Sequence, residues 1–330
     1  MSKKISRTLI GGRSVITGRA GQALKLGGQG RLHWKDIGEA SLNPKWYGSR
    51  GVWPGGWTAT NQISYITIST TGDASDFGNL TVARGYTACC AGGGRGIIAG
   101  GYTGSTVNVI DYITISTTGD AADFGDLPEN KRTAAAVSNA TRGVIIGGHT
   151  GGDYTKTIQY VTILTTGNTT NFGDMTVKTS SIEGVSNGFR GVAGGGDRAG
   201  STTNVMEYIT IDTTGNSIDY GDLTSARQAS AGCSDDNRGI FGGGANANTM
   251  DYINIASTGN AIDFGNLTVA RNDAGACSNG TRGVWGGGYV SGSDSVTDTM
   301  DYVVIQTTGN ASDFGDLVES KRWQSACSGD

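Results

Sequence analysis

The residues that most often bind metals or act in catalysis are scarce in this sequence. Its 330 residues include five cysteines and two histidines, His33 and His149. Zinc and copper sites need several imidazole or thiolate ligands at one point, and the sequence offers no such set of partners. No nucleophile, base and orienting residue stand out either. The sequence therefore predicts a protein that is not an enzyme and has no metal and no cofactor.

A second set of residues could bind a ligand without catalysis. These residues follow recurring glycine doublets or lie in the loop beyond them. Aromatic rings beside Asn, Asp, Ser and Gly can stack on sugars and hydrogen-bond their hydroxyls. The candidate ligand-binding residues are Trp57, Tyr102, His149, Tyr154, Asp197 and Tyr289. The alternative is that these side chains pack locally under their own loops.

The glycine doublets belong to an internal repeat. The phrase "YINIASTGNAIDFGNLTVAR" has five close copies elsewhere in the chain. The six copies begin at Tyr65, Tyr112, Tyr160, Tyr208, Tyr252 and Tyr302, which are 44 to 50 residues apart. This period is typical of four-stranded propeller blades and is longer than most helical-pair repeats.

One repeat contains four short strands. Alternation in "YINI" indicates a strand with one buried face. A second strand passes through Phe264, a third holds small residues around Cys277, and a fourth begins at the Arg-Gly pair of Arg282. Turn residues at each reversal fit this reading.

The order of these signals resembles the kelch repeat over about residues 46–330. A strand ending in a glycine doublet, a variable loop, a strand starting near a tyrosine, an aromatic strand and an arginine follow one another. A smaller ring replaces the tryptophan usual in the outer kelch strand, namely Phe77, Phe124, Phe172, Tyr220, Phe264 and Phe314. The resemblance implies an all-β fold, a six-bladed kelch-like β-propeller.

The two chain ends complete one blade of this propeller. Residues 46–56 contain an Arg-Gly pair and a glycine doublet with no small-residue strand before them, whereas residues 321–330 contain that strand with nothing after it. We expect the C-terminal strand 322–328 to complete blade 1 and to pair with the N-terminal strand. Such closure leaves no blade edge open to another chain.

Cysteine also recurs by blade. Four cysteines share one column, with valine in the two remaining blades: Cys90, Cys233, Cys277 and Cys327. This pattern predicts buried free thiols. A disulfide between the adjacent Cys89 and Cys90 is the alternative.

Two columns of charged residues are expected to hold the blades together. The basic column is Arg84, Arg132, Arg227, Arg271 and Arg322, with Lys178 in the sixth blade. The acidic column is Asp76, Asp123, Asp219, Asp263 and Asp313, with Asn171, and we expect it to bond turn amides. A basic ring that binds an anion is the alternative for the first column.

Blade differences concentrate in one loop, between the glycine doublet and the next tyrosine. In an up-and-down blade this loop shares a face with the links between blades. The uniform "TTGN" and "SNGT" turns lie on the opposite face. Function is expected on the variable face, since binding residues often lie on loops that a rigid scaffold positions.

The first 45 residues differ from the rest in charge. They hold nine Lys or Arg and two acidic residues, so that the remainder of this chain of net charge −4 carries −11. We expect residues 1–45 to be a basic, glycine-rich, extended arm that docks on an acidic protein surface. A nucleic-acid partner is not favoured, because these residues lack the dense clusters of Lys and Arg that neutralise backbone phosphates. No membrane span and no signal peptide are recognised.

The arm contains a phrase that resembles tail and fibre proteins of bacteriophages. In "AGQALKLGGQGRLHW" the matching residues are Gly21, Gln22, Leu24, Gly28, Gly30, Leu32 and Trp34. The repeat wording "TTGNASDFGDL" is also similar to predicted structural proteins of marine phages.

These resemblances imply a virion protein made in the host cytoplasm. Residues 1–45 would anchor to tail, adaptor or fibre proteins, and the propeller of residues 46–330 would bind host-surface polysaccharide or another virion protein. Several copies per particle would provide avidity. The alternatives are a cellular kelch-type interaction scaffold and an extracellular carbohydrate-active enzyme that uses Asp197 or His149.

Overall fold

The computed structural model describes residues 7–10, 13–16, 22–26, 32–36, 45–57 and 60–330, and it divides into the units Met1–Pro44 and Lys45–Asp330. The regular secondary structure of the described residues consists only of β-strands, which confirms the all-β prediction.

The first unit contains two antiparallel hairpins. One pairs Arg7–Ile10 with Arg13–Ile16, and the other pairs Gln22–Leu26 with Leu32–Asp36. Four of the predicted anchoring residues, Gln22, Leu24, Leu32 and Trp34, belong to the second hairpin. The other three, Gly21, Gly28 and Gly30, lie outside the described residues.

The second unit is a propeller of six four-stranded antiparallel sheets. The inner strands of blades 1 to 6 are Cys327–Gly329, Ala88–Gly92, Ala135–Ser138, Glu183–Ser186, Ala231–Ser234 and Gly275–Ser278. The second strands are Arg50–Pro54, Arg95–Ala99, Arg142–Ile146, Arg190–Gly194, Arg238–Gly242 and Arg282–Gly286. The third strands are Gln62–Thr67, Val109–Thr114, Thr157–Thr162, Val205–Thr210, Thr249–Asn254 and Thr299–Val304. The outer strands are Ser75–Asn79, Ala122–Asp126, Thr170–Asp174, Ile218–Asp222, Ile262–Asn266 and Ser312–Asp316.

Two variable loops contain short hairpins of their own. Blade 4 pairs Asp197–Arg198 with Ser201–Thr202, and blade 6 pairs Tyr289–Val290 with Ser295–Val296.

The two ends of the propeller close blade 1, as predicted, but the paired strand is Cys327–Gly329 and not the whole of 322–328, because Arg322 belongs to the link and bridges to Trp57. Cys327 lies opposite Val52, and Gly329 lies opposite Arg50. Beyond the strand, the amide of Trp57 donates to the carbonyl of Arg322 over 2.8 Å. The circle is therefore closed by pairing between opposite ends of the unit.

The repeated glycine of the Arg-Gly pair is required by close packing between blades. An ideal Cβ on Gly143 of blade 3 would lie 2.7 Å from Sγ of Cys90 in blade 2, and one on Gly191 would lie 2.5 Å from Cγ2 of Val137. The cysteine and valine column fills the space that a side chain would need. All five cysteines are free and buried, which confirms the predicted thiols.

The repeated arginine of the same pair links neighbouring blades. Each guanidinium lies 4.2 to 4.7 Å from the centroid of its own blade's repeat tyrosine. Each also donates to an isoleucine carbonyl of the next blade over 2.9 to 3.3 Å. The six arginines are Arg50, Arg95, Arg142, Arg190, Arg238 and Arg282. Cation–π contact and hydrogen bonding explain why arginine recurs in every blade.

A chain of serines joins the inner strands. Each serine hydroxyl donates to the backbone carbonyl at the same position of the preceding blade, over 2.5 to 2.9 Å. The donors are Ser138, Ser186, Ser234, Ser278 and Ser328. The sixth position is Ala91, so one junction, between Ser328 and Ala91, has no donor of this kind.

The predicted basic column is corrected in three blades. Six link residues define the true column, because the carbonyl of each accepts a hydrogen bond from the amide of the last glycine in the preceding doublet. They are Arg84, Lys131, Thr179, Arg227, Arg271 and Lys321. Arg132, Arg322 and Lys178 were therefore placed one residue off the true column. The equivalent residues all lie four positions after the leucine or methionine that follows the outer strand. The segments "PENKR" and "VESKR" obscure this spacing, because in each the column lysine is followed directly by an arginine.

Three of the true column members form buried ion pairs. Arg84 pairs with Asp111, Arg227 with Asp251 and Arg271 with Asp301, over 2.7 to 2.9 Å. In blade 4 the acid is Glu207, and Arg198 from the loop hairpin pairs with it because Thr179 holds the column position. These acids precede the repeat tyrosine.

The predicted role of the acidic column was also wrong. The side chains that accept hydrogen bonds from outer-strand amides are the last residues of the "TTGN" or "TTGD" turns of the following blade. They are Asp73, Asp120, Asn168, Asn216, Asn260 and Asn310. Asp76, in contrast, accepts from the Gln62 side chain.

Candidate functional site

The variable loops and the links between blades share one face, as predicted. Backbone bridges join each loop to a neighbouring link in five blades: Trp57 with Arg322, Tyr102 with Gly85, His149 with Arg132, Asp197 with Ser180, and Tyr289 with Asn272. All six predicted ligand-binding residues lie on this face and are partly exposed.

On this face, six residues from the links between blades form a collar around the mouth of the propeller's central channel. Each collar amide donates to the carbonyl of the preceding collar member, and the six distances run from 2.5 to 3.0 Å. The collar residues are Tyr86, Thr133, Ser181, Ala229, Asp273 and Trp323, and all have φ between 51° and 58°. Non-glycine residues rarely adopt this left-handed conformation. The closed hydrogen-bond ring accounts for its recurrence in every blade.

A depression that is open to solvent lies within the collar. Its lining includes Glu183, Asp273, Cys89 and Gln324. Desolvation raises the pKa of Glu183 to about 8, although the amide of Gly184 donates to its Oε1 over 3.0 Å. Desolvation likewise raises the pKa of Asp273 to about 7, against the opposing effects of a Trp323 hydrogen bond and the charge of Arg322. The cavity therefore contains two carboxyl groups that are readily neutralised.

Aromatic rings crowd one side of the collar. Tyr86 and Trp323 stack with centroids 4.0 Å apart and planes 22° apart. Trp57 lies 5.2 Å from Trp323, and Tyr102 lies 6.0 Å from Trp57. The loops of blades 1 and 2 and two links thus build one cluster.

Two arginines flank this cluster. Arg322 lies 4.2 Å from the centroid of Trp323 and 4.8 Å from that of Tyr289. Arg132 lies 4.9 Å from the centroid of Tyr102 and 5.6 Å from that of Tyr86. We call Trp57, Tyr86, Tyr102, Arg132, Tyr289, Arg322 and Trp323 the aromatic–arginine cluster.

The other predicted residues form a neighbouring group in blades 3 and 4. The hydroxyl of Tyr154 donates to Oδ2 of Asp197 over 3.1 Å, and the ring of His149 packs edge-on against Tyr154. Desolvation and then the charge of Arg132 lower the pKa of His149. The structure therefore divides the six predicted residues into two groups, with Trp57, Tyr102 and Tyr289 in the cluster.

Sequence reasoning missed Tyr86 and Trp323 as site residues, and it considered Arg132 and Arg322 only in the alternative of an anion-binding ring. Correct alignment of the links places Tyr86 and Trp323 in the same column as Thr133, Ser181, Ala229 and Asp273. A large aromatic residue in an otherwise small or polar column was the available signal.

The opposite end of the channel is covered by the segment that enters blade 1. Trp46 and Tyr47 line this end, and the Tyr47 hydroxyl donates to Oδ1 of Asp236 over 3.0 Å. Lys45 forms an ion pair with the same carboxylate over 2.6 Å. The accessible candidate site is therefore on the variable face.

Comparison with known proteins gives no relative, because no family model and no curated protein matches the chain. Within the described residues, no group of three or more His, Cys, Asp or Glu side chains could hold a metal ion. The same residues include no helix with the length and hydropathy needed to cross a membrane. The six-bladed propeller indicates a binding or scaffold role.

Proposed function

We propose that this chain is a non-enzymatic binding protein of a bacteriophage particle, whose arm of residues 1–45 docks on tail, adaptor or fibre proteins. The variable face of the propeller binds a glycan of the host surface. The observation that carries the ligand-binding part is the one-sided aromatic–arginine cluster on a scaffold whose backbone repeats around six blades.

Blade 5 shows that the fold does not need these rings. Its collar residue is Ala229, and its loop residue after the glycine doublet is Ala245. Ala229 still donates to Ser181 and accepts from Asp273 in the collar. Since alanine satisfies both positions, the rings at blades 1, 2 and 6 are available for contact with a ligand.

The particle assignment is supported by the arm. Its basic composition, its resemblance to phage tail and fibre proteins in residues 20–34, and the repeat wording all favour a docked structural protein. Several propellers on one particle would convert weak glycan contacts into strong attachment.

Glycan-array binding of the full chain tests the ligand. We expect binding to at least one oligosaccharide class, and a loss of about tenfold in affinity for Trp57→Ala or Tyr102→Ala, because stacked aromatic rings supply much of the contact energy. Phe189→Ala is the matched control, since Phe189 is 62% exposed in a turn away from this face. Equal losses in all three variants, or binding unaffected by any, would contradict the site.

Two further measurements test the other parts. Chromatography of the bound oligosaccharide after incubation should show no cleavage products. Mass spectrometry of purified particles should detect the chain in fixed ratio to the portal, and its absence from particles would overturn the virion assignment. A propeller that binds a virion protein instead of glycans would be recovered with that protein from disassembled particles.

A further inference from the structure

We infer that the ligand of the variable face is an acidic saccharide, whose carboxylate or sulfate groups bind Arg132 and Arg322 while its sugar rings stack on the adjoining aromatic side chains. This inference rests on the proposed glycan-binding function and names the class of glycan.

The two arginines lie on either side of the stacked rings of Trp323 and Tyr86. Five side chains follow one another in a row, and each lies 4.0 to 5.6 Å from the next, measured to ring centroids. In order, they are Tyr289, Arg322, Trp323, Tyr86 and Arg132. Rings on both sides of a guanidinium restrict its orientation without using its hydrogen-bond donors. The arginines are thus positioned while their N–H groups stay available.

Neither arginine has an acidic partner in residues 45–57 and 60–330. Within that part of the chain, no carboxylate lies within ion-pair distance of either guanidinium, and neither side chain donates a hydrogen bond. The Nε atom of Arg322 is buried and unpartnered, as are those of Arg227 and Arg271, so the arginines differ in their carboxylate partners and not at Nε. By contrast, the true column arginines Arg84, Arg227 and Arg271 each pair with a carboxylate. The guanidinium groups of Arg132 and Arg322 therefore have no carboxylate partner among these residues and can bind an anionic group of a ligand.

Acidic side chains also lie near the two arginines, and each contacts a partner other than Arg132. Asp294 accepts from Tyr289, Asp153 pairs with Lys178, and Asp197 accepts from Tyr154. Asp273 is the acid that acts on Arg322 most directly, and it titrates near pH 7.

The same geometry favours a saccharide over a nucleic acid. Trp57 and Tyr102 lie beside the arginines, so a sugar ring can stack next to a bound carboxylate. The propeller has an excess of acidic residues, whereas nucleic-acid binding needs many cations along a phosphate chain.

The test compares oligogalacturonate with its fully methyl-esterified form, and 3′-sialyllactose with lactose, by calorimetry on the full chain. We expect the acidic member of at least one pair to bind at least tenfold more tightly. Arg132→Gln with Arg322→Gln should remove that preference. Lys178→Gln is the matched control, because Lys178 is an exposed cation already paired with Asp153.

A pH series provides a second readout that does not require the arginine variants to fold. Asp273 faces Arg322, the Trp323 indole and the Tyr86 ring, and shares the cavity with Glu183, which stays neutral at pH 7. Protonation of Asp273 removes the opposing charge, so affinity for the acidic glycan should rise about fivefold from pH 8 to pH 6. Asp273→Asn should bind more tightly than the wild-type protein at pH 8 and lose most of the pH dependence, and the remainder reflects ionisation of Glu183, whose pKa is about 8.

The outcomes separate this inference from the proposed function. Equal binding of acidic and neutral sugars, with loss in Trp57→Ala, would refute the inference and leave glycan binding intact. Binding of neither sugar class would refute both. Preferential binding of a single-stranded oligonucleotide would replace the saccharide with a nucleic acid and overturn the inference.

Discussion

Replacement of Glu183 by glutamine should stabilise the propeller, and more so as the pH rises. Glu183 lies in an inner-strand column where the other blades have Ala88, Ala135, Ala231, Gly275 and Ser325. Its carboxyl group lines the channel cavity, and desolvation raises its pKa from 4.5 to about 8. Between these two values the unfolded chain releases the proton and the folded protein retains it.

The sign and size of the effect follow from this difference. Because the unfolded state binds fewer protons between pH 4.5 and pH 8, the free energy of unfolding falls as pH rises through that window. Each pH unit corresponds to about 1.4 kcal/mol, so the three units from pH 5 to pH 8 give at most about 4 kcal/mol. Solvent reaches the cavity through the collar, and we halve the figure to about 2 kcal/mol for this screening.

Thermal unfolding of the wild-type protein and Glu183→Gln at pH 5 and pH 8 measures this difference. The advantage of the variant in Tm should grow by about 4 °C, at about 2 °C per kcal/mol for a domain of this size. Other titrating groups cancel because both proteins share them. Asp123→Asn, on an exposed carboxylate, controls for the loss of a charge. A Tm difference for Glu183→Gln that is the same at both pH values would refute the reasoning.

Two further predictions concern closure of the circle. Ala91→Ser supplies the missing hydroxyl of the serine chain and should raise the free energy of unfolding by about 1 kcal/mol, whereas Ser138→Ala should lower it by a similar amount; equal destabilisation by both changes in chemical denaturation would contradict this. Deletion of residues 322–330 removes the inner strand of blade 1 and should cost about 3–5 kcal/mol. Added peptide of the same sequence should restore part of the lost Tm, and an unchanged Tm after deletion would disprove the closure.

The fold could be predicted because the residues that recur in the repeat make the same local contacts in every blade. The glycine of each Arg-Gly pair, the repeat tyrosine and the turn residues recur since each has the same neighbour in every blade. The arrangement of the links could not be read as easily. Lys131 and Lys321 replace arginine in the true column, and the arginine that follows each was mistaken for it. Burial lowers the pKa of both lysines to about 8, as expected for cations in a column of buried groups.

The candidate site was only partly predictable for a related reason. Trp57, Tyr102 and Tyr289 were found because they follow the doublets, but the collar depends on hydrogen bonds between consecutive links. No sequence pattern reveals that Trp323 donates to Asp273 and accepts from Tyr86. The positive φ at these positions favours glycine on steric grounds, yet none of the six collar residues is glycine.

Closure and ligand binding are physically joined in this propeller. Trp57 follows the first strand of the circle, whereas Arg322 and Trp323 precede its last strand, and the amide of Trp57 donates to the carbonyl of Arg322. The ring of Tyr86 stacks on the indole ring of Trp323. Three members of the aromatic–arginine cluster, Trp57, Arg322 and Trp323, therefore come together only when the two ends meet. A ligand that bridges Trp57, Trp323 and Arg322 would stabilise the closed circle by its binding free energy.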